Sequence, residues 1–274
     1  MTQPALGASD IPAILGLSPW ATPYTVWARK TGRLDEQAPN DAMDAGLWLE
    51  HVVLDWAKQR LGDIRPGGEH AIAGTPIVCH PDGLTLANQP VEAKTAGIVC
   101  PLRGSWGPEG TDEVPDAYLV QVLVQMAALG VQEGHLAALL GGMGFRLYHI
   151  VDDRGLRTEI VERACAWWER HVVQDVPPCV TADDLAALRR LRRIYTRVQI
   201  PTEVVDEWLA AKDALRRAQH QADAAEAKLL AALGDADEGE CARGLVTHKL
   251  QHRKAYTVKE SEYRVLRFKE LPDE

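Results

Sequence analysis

Residues 76–95, P-I-V-C-H-P-D-G-L-T-L-A-N-Q-P-V-E-A-K-T, limit what this chain can fold into more than any other stretch. Val78 leads into a turn tetrad, His80-Pro81-Asp82-Gly83, and Leu84 to Leu86 resumes an extended run. A loop at Ala87–Pro90 then returns the chain into Val91-Glu92-Ala93-Lys94-Thr95. Strand side chains alternate, so Glu92 and Lys94 share one face while Val91, Ala93 and Thr95 take the other. On this reading Asp82, Glu92 and Lys94 meet at one edge of a hairpin. Two carboxylates and an ammonium suit a Mg²⁺-bound phosphate, because the metal takes hard oxygen ligands and the cation meets developing charge. Each fragment alone is ordinary: P-D-G is a common turn, and E-x-K on a strand is usually a solvated face.

The chain is long enough, at 274 residues with 46% hydrophobic content, for one sizeable domain and an appendage. No run approaches the roughly 18 apolar residues of a membrane-spanning helix, and no leader of basic then apolar residues opens it. Cys79, Cys100, Cys165, Cys179 and Cys241 are scattered and never in C-x-x-C spacing, which points to a reducing cytoplasm and away from zinc or iron–sulfur centres. A net charge of −9 does not by itself mark a nucleic-acid binder. Residues 243–270 nevertheless carry eight Lys and Arg against three acids. Arg243, Lys249, Arg253, Lys254, Lys259, Arg264, Arg267 and Lys269 suit either a phosphate-tracking surface or a lysine-protected sheet edge.

Taken in order, Ser9 or Asp10 opens a short helix that Gly16 ends, and Thr22-Pro23 opens a second that stops at Gly32. Ser9 serves equally as a cap or as part of an anion site. Residues 42–61 form an amphipathic helix with Gly46, Leu47, Val53, Leu54, Ala57 and Leu61 on one stripe and Glu50 in its middle. A carboxylate there is either one half of a buried ion pair or a partner of Asp82 and Glu92. Pro115-Asp116 starts a helix running to Gly130, whose neutral stripe Tyr118, Gln121, Gln125 suits a lined cleft. Two strands (136–140 and 145–151) and a helix over 157–173 bearing Trp167-Trp168 complete a first domain of residues 1–178. The expected fold is α/β, a mixed sheet flanked by helices. Residues 179–274 are expected to form an extension: an Arg-rich helix over 183–197, a long helix over 202–233, then basic strands at 245–247 and 263–268. The long helix carries a coiled-coil-type seam of small residues that suits close antiparallel packing.

Over residues 7–150 these elements resemble the YqaJ-type viral recombinases, relatives of lambda exonuclease within the restriction-endonuclease-like, or PD-(D/E)xK, nucleases. Gly7-Ala8-Ser9-Asp10-Ile11…Ile14-Leu15-Gly16-Leu17-Ser18-Pro19-Trp20 is similar to the N-terminal signature of that family, and Trp27…Lys30-Thr31-Gly32 continues it. Gly46…Glu50, Pro81-Asp82-Gly83, Glu92-Ala93-Lys94 and Pro115…Tyr118…Gln121…Gln125 resemble four further motifs in the same order. The resemblance implies a Mg²⁺-dependent 5′-to-3′ exonuclease on double-stranded DNA ends, with two ions and Mn²⁺ able to substitute. It implies that Asp82, Glu92 and the Ala93 carbonyl ligate metal and that Glu50 completes a second position. Lys94 would orient the attacking water or stabilise the charged phosphorane, with Gln121 beside it. Ser9 would help hold a 5′-phosphate, and Tyr118 and Gln125 would contact DNA. A homo-oligomeric ring, trimer or tetramer, and a single-strand annealing protein are the implied partners. The W-x-x-x-R segment that often precedes the signature in relatives has no match in Met1–Leu6.

Overall fold

In the computed structural model, residues 5–35, 40–97, 100, 102, 106–191 and 197–252 are described. They divide into two compact units, Met1–Arg193 and Ile194–Glu274. The first begins with strand β1 (Leu6–Gly7) and helices α1 (Ile11–Ile14), α2 (Pro23–Lys30) and α3 (Asp41–Leu61). Strands β2 (Ile64–Pro66), β3 (His70–Ala71), β4 (Ile77–Cys79), β5 (Gly83–Thr85) and β6 (Pro90–Ala96) follow. Helix α4 (Asp116–Leu129), strands β7 (Glu133–Leu140) and β8 (Gly144–Val151), and helices α5 (Arg154–Trp168) and α6 (Leu185–Arg190) complete it.

The main sheet has the order β2-β5-β6-β7-β8, and a smaller one has the order β1-β4-β3. Strands β6 and β7 are parallel, so the chain must cross over between them, and α4 is that crossover. The strand period of two then sorts the side chains. Val91, Ala93 and Ala137 pack with Val53 and Ala57 of α3, whereas Leu136, Ala138 and Leu140 join the core built on Val122, Leu123 and Met126 of α4. The result is the expected mixed sheet between helices.

Helix punctuation follows the local chemistry. Thr22 and Thr25 form a reciprocal capping box on α2, the Asn40 side chain caps α3, and Gly130 closes α4 in the left-handed conformation. Asp10 occupies the N-cap position of α1 without a side-chain capping bond. Its carboxylate instead accepts from the Gly7 N–H at 3.1 Å and pairs with Lys30 at 2.7 Å. The expected buried stripe of α3 holds only in its second half. Leu47 is 69% exposed, and Val53 and Ala57 are the residues of the helix that reach the core. Met43, Gly46, Leu47 and Glu50 of its first half line a cavity beside β6, so Glu50 does not sit on a buried apolar face.

In the second unit, α7 (Thr202–Leu233) precedes an antiparallel hairpin of β9 (Glu238–Cys241) and β10 (Gly244–Thr247). Lys249 pairs with Glu238. The strand expected at 263–268, Arg253, Lys254, Lys259, Arg264, Arg267 and Lys269, and residues 192–196 of the expected Arg-rich helix lie outside the described residues.

Two glycines hold the acid turn for steric reasons. A Cβ on Gly83 would stand 2.4 Å from Ile64 Cγ2, and one on Gly67 would stand 1.8 Å from the Pro81 carbonyl oxygen. Gly67→Ala therefore must displace the backbone that carries Asp82. It is expected to lower stability by about 1–3 kcal/mol, as overpacking does, while Gly97→Ala, whose Cβ meets nothing within 4 Å, stays within about 0.5 kcal/mol. Urea unfolding midpoints of the two variants test this, and equal midpoints would refute it.

Candidate active site

The site sits at a fork in the main sheet. Pairing between β5 and β6 runs through Gly83↔Val91 and Leu84↔Pro90 and stops there, while β6 continues beside β7 to Ala96. Asn88, at a left-handed φ of 64°, helps close the loop that sets this register. Asp82 stands where the strands part. Its Oδ2 accepts from the Ala93 N–H at 2.7 Å, filling a place a ladder bond would take. The N–H and C=O of one strand residue point to the same side, so the Ala93 carbonyl faces the fork as well.

Glu92 lies on the opposite face of β6, toward α4, and is 2% exposed. Its Oε1 accepts from Lys94 Nζ and from Gln121 Nε2, each at 2.5 Å, and its Oε2 from Gln125 Nε2 at 2.6 Å. One ammonium and two amides thus replace the water that burial removed. Burial alone would lower the pKa of Lys94, but the carboxylates of Glu92 and Asp82 outweigh it and the net shift is upward. Lys94 is therefore a fixed cation. It stands 5.3 Å from the Tyr118 ring centroid, and Trp20 stacks on the same ring at 6.1 Å. Burial pushes the Tyr118 hydroxyl up to about 12, with Lys94 opposing it.

A cavity of about 500 Å³ opens onto these groups. Ser9, Glu50, Asp82, Ala93, Lys94, Tyr118 and Gln121 all line it. Seven of the nine residues expected from sequence thus share one wall. Glu92 and Gln125 do not line it; they lie behind Lys94 and Gln121, and Gln125 is wholly buried. Gln125, expected as a DNA contact, is buried here and donates to Glu92. Sequence reasoning missed Trp20, Met43 and Leu47 as cavity wall. The signal was present: residues 43, 46, 47 and 50 follow helical spacing, but the stripe read as core.

The charge balance at the fork is acidic. Asp82 is raised to about 7, chiefly by burial and then by Glu92, with Glu50 adding to the effect. The Ala93 N–H and Lys94 only partly oppose this. Three carboxylates face one ammonium, and the oxygen donors on the wall are those a hard divalent cation takes. Among the described residues no three His, Cys, Asp or Glu side chains already converge on a single metal position. A divalent cation there would have Asp82, Glu50 and the Ala93 carbonyl as oxygen donors on the wall, with Glu92 behind Lys94 and Gln121.

Residues 2–132 match the model of the YqaJ-like viral recombinase domain. The uncharacterized protein YqaJ of Bacillus subtilis strain 168 is 25% identical over 272 residues, covering 91% of this chain and 83% of its own. Among solved structures, the alkaline exonuclease LHK-Exo from Laribacter hongkongensis superposes with a TM-score of 0.50 at 20% identity, over 63% of this chain and 90% of that one. The shared fold is the restriction-endonuclease-like α/β core.

The raised Asp82 carboxyl sets a pH dependence. The folded protein holds this proton up to about pH 7, whereas the unfolded chain releases it near the ordinary Asp value. Stability therefore falls as pH rises from about 4 to about 7 and levels off above. The drop is on the order of 2–4 kcal/mol, one pKa unit being worth about 1.4 kcal/mol. Asp82→Asn should flatten that slope in urea titrations run in EDTA at pH 5 and pH 8. An unchanged slope would assign the effect to other groups.

Proposed function

We propose, from the premise that residues 2–132 belong to the YqaJ-like viral recombinase family, that this protein is a divalent-cation-dependent deoxyribonuclease of phage-type recombination. It resects double-stranded DNA ends 5′ to 3′ and leaves 3′ single strands. The observation that carries the reading is the convergence of Asp82, Lys94 and Gln121 on one open cavity, with Glu92 held behind them by three nitrogens.

Mg²⁺ is the proposed metal, two ions with Mn²⁺ able to substitute, and it supplies Lewis-acid stabilisation of the phosphate and a more acidic attacking water. The protein's own part is positioning. Asp82, Glu50 and the Ala93 carbonyl offer oxygen ligands on the wall. Lys94, whose charged form the neighbouring carboxylates favour, places positive charge where the pentacovalent phosphorane gathers negative charge. Gln121 bridges the cavity to Glu92, fixing the carboxylate and leaving its own carbonyl to hold water. Ser9 lies on the wall as a phosphate contact, and Tyr118 with Trp20 offers a surface on which a base can stack. A ring-shaped homo-oligomer and a single-strand annealing protein complete the proposal as partners.

The test is cleavage of linear duplex and covalently closed circular DNA side by side, with Mg²⁺ and with EDTA. Loss of linear duplex only, with 5′-labelled ends released first as mononucleotides, is the expected result. Cutting of the closed circle would replace the exonuclease reading with an endonuclease. Lys94→Ala is expected to lower the cleavage rate by about 10²–10³-fold, the scale for losing one charge-stabilising donor, with DNA binding kept. A rate within a few-fold of the parent would remove Lys94 from the mechanism.

A further inference from the structure

Helix α7 spans 32 residues, none of them buried. A helix this exposed gains little from its own propensity, and most helical stability comes from packing an apolar face. The face is there. Trp208, Leu215, Ala222 and Leu229 recur every seven residues, and Ala211, Ala218, Ala225 and Ala232 recur every seven residues three places later. This 3–4 spacing is that of the a and d positions of a coiled coil. Leu215 is 64% and Leu229 47% exposed. Among the described residues, the rest of this unit is one short hairpin.

The seam is uneven in a way that selects its occupant. From Trp208 to Ala232 the large residues of the seam stand at the first position and every residue at the second is alanine. In a parallel pair Trp208 would face Trp208 and Leu215 would face Leu215, alternating with alanine-on-alanine layers, so the helix separation would swing from layer to layer. An antiparallel pair centred on residue 220 sets Trp208 against Ala232, Leu215 against Ala225, and Ala218 against Ala222. Each large side chain then meets a small one, and the spacing is even along about 36 Å of helix at 1.5 Å per residue. Shifting by one heptad either way loses two of these layers.

We propose that α7 is a self-association element that pairs antiparallel with α7 of a second copy of this chain, in the register centred on residue 220. The assignment is independent of the nuclease reading. Leu215→Cys and Ala225→Cys, each made in a full-length Cys179→Ser/Cys241→Ser background and co-expressed, test it on non-reducing gels after mild oxidation. The antiparallel register sets residue 215 of one copy against residue 225 of the other, so a covalent dimer is expected from the pair of variants together. Adding Ala218→Glu to both, which keeps a good helix former but puts a charge in the central layer, should abolish that band without changing the helical circular dichroism. Leu215→Cys alone should stay uncrosslinked, since residue 215 faces 225. A dimer from Leu215→Cys alone would mean parallel pairing, and no dimer from the two variants together would mean that something other than a second α7 covers the seam; either result overturns the proposal.

Discussion

The buried carboxylate of Glu92 is the interaction on which the first unit depends. An ionised group at 2% exposure loses most of its hydration, and the loss is tolerable only when fixed donors replace it. Here the donors come from two elements, Lys94 of β6 itself and Gln121 and Gln125 of α4. The two amide bonds therefore pin the crossover helix to the sheet, and all three orient the charged side chains beside the cavity. Structure and chemistry are coupled at this point. A variant lacking one of the amides would change helix packing and site geometry together, so the two consequences have to be separated by measuring stability beside any activity.

The fork between β5 and β6 is the second constraint. If the hairpin paired over its full length, Ala93 would spend its N–H and C=O on a neighbouring strand. Because pairing ends at Val91, the N–H goes to Asp82 and the carbonyl remains on the cavity side. A broken ladder normally costs unpaired backbone groups. In this sheet one of them is satisfied by the acid the site requires, which keeps Asp82 in place without a dedicated scaffold.

Much of this was legible in the residues. The strand period placed Glu92 and Lys94 together and apart from Val91 and Ala93, because alternation is a property of the backbone and survives any tertiary context. Thr22 and the left-handed glycines Gly32 and Gly130 marked ends of α2 and α4 for the same reason. What escaped was set by partners distant in the chain. Strands β1 and β3, two residues each, carry no periodic signal and exist only because β4 lies between them. Leu47 has the spacing of a core residue, yet it lies exposed on the wall of the cavity. Gly83 read as a turn residue, but its lack of a side chain is required by Ile64 on the adjacent strand. Gln121 and Gln125 are one helical turn apart and equally polar, and only the depth of α4 separates a wall residue from one behind the wall.

The parallel β6–β7 pairing has a kinetic side. Parallel neighbours meet only after the intervening crossover has closed, and contacts between distant residues form late and slowly. Glu50, Asp82, Glu92 and Gln121 come from four separate elements, and the last of them rides on that crossover. During synthesis the acids emerge from the ribosome well before the helix that organises them. A nascent or partly folded chain thus carries all the charged groups without their arrangement, so the cavity wall is assembled only with completion of the topology.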